Sequence, residues 1–272
     1  MKIILICCTI NPSLAVQFLN SVSIPSGAEW FEIILVNSST QEVVLTNVSD
    51  EVRNSIRVMN APGFSLSRAR NYALTEDKDA DIIAFPDDDC IYPLGLLDKV
   101  VSYYEDNGDP NCKGVCFPHS GSITHTGTRI VKDEIFGRVI SFNFFLFDPE
   151  TLHFNENFGI GGKYDFGEEA ELVARTLDKF GYLLHDQNFL IEHPLKDGLS
   201  FKRTFRRGFG IGAFVITTGY LEFSRRLRFK LLFGAFAKFF YRLVRGEFRL
   251  SFHSLADGLG RLSGFVLAFF RR

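Results

Sequence analysis

A chain of 272 residues with 46% hydrophobic and 23% charged residues can bury a substantial core, which excludes a disordered chain and makes one α/β domain with an appendage the starting expectation. The formal charge of −2 conceals a division: residues 1–200 carry 15 Lys and Arg against 29 Asp and Glu, net −14, whereas residues 201–272 carry 15 against 3, net +12, with 15 of the 30 phenylalanines. Five cysteines, Cys7, Cys8, Cys90, Cys112 and Cys116, show no disulfide-scaffold spacing and point to a reducing cytoplasm; Cys112, Cys116 and His119 offer three zinc ligands, but in no common zinc spacing.

In chain order, the apolar run Ile3 to Cys8 is too short for a signal peptide and meets the turn Asn11-Pro12 without a cleavage site, so it predicts a first buried strand. A helix from Ser13 to Ser21 and a strand from Glu32 to Val36 complete a βαβ unit. A strand over Ser55 to Met59, a turn at Ala61-Pro62-Gly63, a helix over Ser65 to Leu74 and a buried strand over Asp81 to Phe85, ended by Pro86, follow. This alternation predicts an open, mostly parallel sheet with helices on both faces.

Between Cys112 and Phe147 the pattern becomes loop-rich, with Gly114 to Phe117 and Arg138 to Phe147 as strand candidates. Gly167 to Phe180 predicts a helix that opens with acids, where the helix dipole favours them. Tyr182 to His185 and Phe189 to Glu192 then suit short strands, and a basic helical tail begins near Ser200. In that tail Phe229 to Val244 is rich in Leu and Phe but interrupted by Lys230, Lys238 and Arg242, and Leu262 to Phe270 is followed by Arg271-Arg272. No stretch reaches the roughly 18 apolar residues of a spanning helix. Two readings stand: a helix lying in an anionic bilayer interface, or an amphipathic helix packed on the domain or on another subunit. Nucleic acid is not expected as a partner, because no recognition motif is present.

Asp87-Asp88-Asp89 directly follow the strand predicted over Asp81 to Phe85, and ligands of open α/β sheets sit at the carboxyl ends of strands. Adjacent carboxylates repel one another, so they call for a cation or for solvent. A calcium hand is excluded, since its glycine and glutamate positions hold Tyr92 and Asp98. An aspartyl phosphatase is disfavoured because Cys8-Thr9-Ile10 stands where its nucleophile would follow the first strand.

The segment Asp87-Asp88-Asp89-Cys90-Ile91-Tyr92-Pro93 after a strand resembles the Asp-x-Asp segment of family 2 glycosyltransferases with the GT-A fold. Gly63 to Asn71, ending in Ala69-Arg70-Asn71, is similar to the segment that precedes the metal motif in that family, and Phe154 to Gly159 with Gly167 to Leu172 resembles its acceptor-side loop and acidic helix start. Three such motifs in order are specific where one would be weak. The resemblance implies a single Rossmann-like, mostly parallel GT-A sheet over residues 1–200, with nucleotide-sugar binding in 1–110, the acceptor side in 111–200, and the basic tail in 201–272.

It also implies roles. Thr9 and Asn37 would contact the base and ribose, Asn37 standing where the family often has aspartate, and Arg70 would lie near the base or diphosphate. Asp89 would ligate Mg²⁺ or Mn²⁺, Asp87 would reach the ribose or a metal-bound water, Asp88 can replace either, and His193 would approach the metal or diphosphate. Glu169, beside Glu168, would be the base; the family pattern is usually Glu-Asp, so this acid is one methylene longer. Both glutamates also suit simple dipole stabilisation, worth ~0.3–1 kcal/mol. Lys202, Arg203, Arg206 and Arg207 suit a lid over the diphosphate, a lipid contact or a solvated face.

The activity implied is inverting, metal-dependent transfer of a hexose-type sugar from a nucleoside diphosphate-sugar, with a UDP-sugar favoured, to a hydroxyl of a glycan or lipid-linked acceptor in surface polysaccharide synthesis. The location implied is the cytoplasm, peripheral to the inner face of the cell membrane. Two alternatives are carried. A nucleotidyltransferase would want a Gly-rich basic loop where Thr9-Ile10-Asn11-Pro12-Ser13 stands, and a non-catalytic membrane-associated binding protein would need no base.

Overall fold

A computed structural model describes every residue except 77–78, 121–126, 150–151, 178–179, 195–199 and 271–272. The Arg271-Arg272 pair and part of the helix expected up to Phe180 therefore lie outside the described residues. Among the described residues, contacts divide the chain into two compact units, Met1–Phe154 with Leu172–Leu195, and Asn155–Glu171 with Lys196–Arg272. The expected acceptor-side stretch 155–171 thus groups with the C-terminal helices. Its aromatic rings explain why: Phe158 lies 5.5 Å from the Phe214 ring and Tyr164 6.1 Å from Phe209.

In the first unit, β1 (Lys2–Thr9) buries Ile3 to Cys7 without a break, and β2 (Trp30–Asn37) does so from Ile33 onward. Successive strand side chains point to opposite faces, so unbroken burial means a strand covered on both sides. Between them α1 (Pro12–Ser21) starts on a proline and buries Ala15, Phe18 and Leu19, three positions that share a helical face. The one-turn helix α2 (Asp50–Arg53), β3 (Ile56–Asn60), α3 (Leu66–Glu76), β4 (Ile82–Ala84), α4 (Leu96–Glu105), β5 (Cys112–Cys116), β6 (Arg129–Val131), β7 (Phe144–Phe147), α5 (Glu168–Thr176, of which Glu168–Glu171 group with the second unit) and β8 (Tyr182–His185) follow. The eight strands form one sheet in the order β3-β2-β1-β4-β7-β5-β8-β6. The β3-β2-β1-β4 half is parallel, whereas β7 is antiparallel to both β4 and β5. The expected mostly parallel α/β sheet is present, mixed through the antiparallel β7 and β6, with α1 and α3 packed on β1 and α4 on β5.

Two expected strands are shorter than their sequences suggest. Of Arg138 to Phe147 only Phe144–Phe147 pairs; Gly137 turns at φ +80°, and Ser141–Asn143 forms a 3₁₀ turn. The Asn143 side chain holds that turn by donating to the Phe117 and Arg138 carbonyls at 2.8 and 2.7 Å. Phe189 to Glu192 makes only single bridges, Ile191 with His119 and Glu192 with Ile91. Helix α4 and strand β6 form where no element was expected.

The second unit contains α6 (Phe201–Thr217), α7 (Arg225–Val244) and α8 (Phe248–Phe269). Ser200 and Ser224 cap α6 and α7 by accepting from the Arg203 and Leu227 amides. Helices α6 and α8 meet backbone to backbone. A Cβ at Gly208 or Gly212 would overlap the Asp257 or Arg261 carbonyl, and one at Gly260 or Gly264 those of Phe205 and Phe209. This packing makes α8 longer than the expected Leu262 to Phe270, because it overrides the poor helix propensity of Gly258 and Gly260.

Candidate active site

Parallel pairing sets Thr9 opposite Asn37 at the carboxyl ends of β1 and β2. On the other side of β1 lies β4, and past Phe85-Pro86 the Asp87 backbone bridges Cys8. The order of strands reverses at β1, and the crevice at such a switch point is where open α/β sheets hold ligands.

Three of the expected ligands converge there. Asp87, Asp89 and His193 each offer one donor atom, all within 4.8 Å of one another. His193 Nε2 lies 3.0 Å from Asp89 Oδ1 and 3.7 Å from Asp87 Oδ2. The other Asp87 oxygen, Oδ1, accepts from the Ser141 hydroxyl at 2.8 Å and faces the Arg70 guanidinium at 3.5 Å. Asp87 is therefore held from behind through one oxygen and presents the other to the cluster. His193 is held as firmly: its amide donates to Ser120 Oγ and its carbonyl accepts from that hydroxyl, both at 2.8 Å. Its ring stacks flat on Phe142, with centroids 4.6 Å apart and planes 4° from parallel. Two carboxylates and an imidazole fit a divalent cation of the Mn²⁺ type, since hard oxygens suit Mg²⁺ and Mn²⁺ alike while the nitrogen favours the later metal.

Asp88 turns instead toward Thr9, whose hydroxyl donates to Asp88 Oδ2 at 2.5 Å while accepting from the Asn11 amide at 2.9 Å. Arg70 is 1% exposed, its guanidinium 5.1 and 5.9 Å from the Phe154 and Phe85 ring centroids. A buried guanidinium is tolerated when paired, and here it offsets carboxylate charge beneath the cluster. Its neighbour Asn71 exchanges hydrogen bonds with the Phe154 backbone at 2.9 and 2.7 Å, which locks two of the three sequence motifs together. Cys7 and Cys90 are buried beside the cluster, and burial, then the aspartate charges, pushes their thiols well above the usual range. Neither is a thiolate nucleophile.

Asn37 lines a cleft of about 620 Å³ with Ser39, Gln41, Glu42, Asn60 and Pro62. Its amide donates to Gln41 O and Asn60 Oδ1 at 2.8 and 3.2 Å, and its oxygen accepts from the Ser39 amide and hydroxyl at 3.0 and 2.8 Å. Two donors and two lone pairs are thereby used, so Asn37 shapes the cleft.

Glu168 and Glu169 open α5 within the second unit. Gly167 makes that entry possible: its φ is +94°, and a Cβ would stand 2.6 Å from the Phe214 ring. Glu168 is buried and Glu169 half-buried. Of the basic run, Arg206 pairs with Asp165 at 2.7 Å, and Lys202, Arg203 and Arg207 are exposed. The Cys112, Cys116 and His119 set does not form a metal cluster among the described residues: the Cys112 thiol donates to the Gly114 carbonyl at 3.5 Å and the Cys116 thiol to the Phe117 carbonyl at 3.8 Å.

A family model described as Glycosyl transferase family 2 matches residues 5–167. The chain belongs to this family. A search of the curated proteins gives no match. Among solved structures, this family 2 glycosyltransferase is similar to residues 1–349 of TarS from S. aureus in complex with UDP-GlcNAc, at TM-score 0.63 and 13% identity, covering 98% of this chain and 81% of that one. It is also similar to the mannosyltransferase PcManGT from Pyrobaculum calidifontis in complex with GDP-Man and Mn²⁺, at TM-score 0.58 and 12% identity, covering 96% and 86%. At such identity the likeness establishes the shared GT-A fold.

Ser120, Ser141 and Phe142 were not singled out from the sequence of this glycosyltransferase. No local signal marks them, because each acts on a residue 50 or more positions away, as Ser141 does on Asp87 across 54.

Proposed function

We propose that this glycosyltransferase catalyses inverting, metal-dependent transfer of a sugar from a nucleoside diphosphate-sugar to a hydroxyl of a glycan or lipid-linked acceptor. The observation that carries the proposal is the convergence of Asp87, Asp89 and His193 within 4.8 Å at the carboxyl edge of parallel strands. These three residues would hold the divalent ion, which when bound supplies charge stabilisation for the departing diphosphate. Residues 1–110 bind the donor, with the nucleoside in the cleft shaped by Asn37, the hydroxyl of Thr9 fixing Asp88, and Arg70 acting through Asp87. Residues 111–200 serve the acceptor, and the tail from 201 suits an acceptor presented at an anionic membrane surface on the cytoplasmic side.

Glu169 takes the proton from the acceptor hydroxyl as that oxygen attacks the anomeric carbon from the side opposite the leaving group. Its half-exposed position supports this role over Glu168, which is 5% exposed and better suited to bracing the start of α5.

A panel of nucleotide sugars with Mn²⁺, beginning with UDP-sugars and scored for nucleoside diphosphate release, tests the activity; pyrophosphate release instead would indicate nucleotidyl transfer. Glu169→Gln should lower turnover by a factor on the order of 10² to 10⁴ with donor affinity unchanged, and full residual turnover would remove Glu169 from the base role.

A further inference from the structure

Helices α7 and α8 each expose an aligned set of apolar side chains, with Tyr241, Leu250 and Leu267 exposed beside them. On α7 the set consists of Phe229, Phe233, Phe240 and Val244, exposed by 66, 41, 62 and 90%. On α8 and its C-cap it consists of Phe248, Phe252, Leu259, Val266 and Phe270, exposed by 62, 53, 48, 46 and 80%. Spacings of four and seven place each set on one side of its helix. Isolated exposed apolar residues are ordinary, but aligned sets of this size mark a docking face.

The inner faces are already used. Helix α8 packs on α6 through Gly260 and Gly264 and on α7 through Gly258, where a Cβ would lie 2.9 Å from the Phe236 ring. The polar groups of α8 are paired inward, Asp257 with Arg261 at 2.6 Å and Ser254 with Arg242 at 2.8 Å. That mid-helix ion pair suits a helix lying on a surface, and among the described residues no helix is long and apolar enough to cross a membrane.

Charge selects the occupant. Residues 201–272 hold 15 cations against Glu222, Glu247 and Asp257, and Glu247 and Asp257 already face Arg245 and Arg261. Arg226 and Lys230 flank the α7 stripe and are exposed. Lys238 lies on the opposite side of α7 from Phe229 and turns inward: burial first, then Arg261 and Arg242, hold its ammonium below the usual lysine range, and Asp257 opposes them. Two copies of such a face would repel one another, whereas anionic headgroups would satisfy it while the rings enter the acyl boundary.

We propose that the α7–α8 hairpin is an interfacial anchor for an anionic lipid bilayer, its two aromatic stripes entering the interface and Arg226 and Lys230 meeting lipid phosphates. The proposal deepens the membrane-side acceptor reading above and rests on it only for its biological purpose.

The test is sedimentation of the full chain with vesicles of phosphatidylcholine alone and of phosphatidylcholine mixed with phosphatidylglycerol. Binding to the anionic vesicles should be tighter by about tenfold or more and should weaken with salt. Arg226→Glu combined with Lys230→Glu should reduce it by about tenfold or more, and Phe252→Asp should also reduce it, with the melting profile retained. Absent binding, or equal binding to both vesicles, overturns the proposal. So does a solution dimer that Phe252→Asp dissociates, which would assign the stripe to a second copy. Donor binding is measured on the same variants without vesicles; its retention alongside lost sedimentation separates failure of the anchor from failure of the transferase reading.

Discussion

The Ser141 hydroxyl and the Arg70 guanidinium share one oxygen of Asp87, leaving Oδ2 turned toward His193. Groups that orient a ligand are worth as much as some ligands, typically 10- to 100-fold in metal affinity. Ser141→Ala should therefore weaken Mn²⁺ binding by about tenfold, read by titration of the free ion's electron paramagnetic resonance signal without any donor present. An unchanged affinity would reduce Ser141 to packing. The flat Phe142 ring against His193 performs the same task for the imidazole. Its burial makes truncation costly to stability, so the serine is the cleaner probe.

At the scale of elements, the glycines of the C-terminal helices divide into those of α6 and α8, which permit close approach, and Gly234 of α7, which does not. Gly212→Val should destabilise the protein by about 1–3 kcal/mol or more, because its new side chain overlaps the Arg261 carbonyl and the helices must part. On α7, a Cβ at Gly234 would meet only Lys230 Cγ at 3.7 Å, so Gly234→Ala should be neutral or stabilising by about 0.5–1 kcal/mol. Thermal melting of the two variants decides the matter; equal effects would mean that the α6–α8 contact contributes little to stability.

For the whole molecule, a metal held by residues distant in sequence links binding to folding. Asp87 and Asp89 follow β4 and His193 lies more than 100 residues later, so the unfolded chain offers no comparable site. Mn²⁺ at about 100 times its dissociation constant should add roughly 2.7 kcal/mol of stability, seen as a rise in melting temperature that EDTA reverses. Asp89→Asn should abolish the rise; a rise that survives the substitution would place the ion elsewhere.

Much of the fold was legible in the sequence because its signals are local. Unbroken apolar runs announced β1 and β2, the acids at 168–169 announced the start of α5, and Asp87 to Asp89 after a short strand marked the candidate metal site. The strand expected over Arg138 to Phe147 and the α8 helix were misjudged at their edges, since the side-chain bonds of Asn143 and the packing of Gly260 and Gly264 against α6 are tertiary. By itself the sequence determined the family, the α/β order of elements and the chemistry of the candidate ligands, all of which depend on residue type and spacing. Only the tertiary structure decided that Asp88 turns to Thr9 while Asp87 and Asp89 turn to His193, that Asn60 at the end of β3 completes the hydrogen bonding of Asn37, and that Ser120, Ser141 and Phe142 hold the cluster. Those choices are made by side-chain contacts between segments far apart in the chain, and no local pattern encodes them.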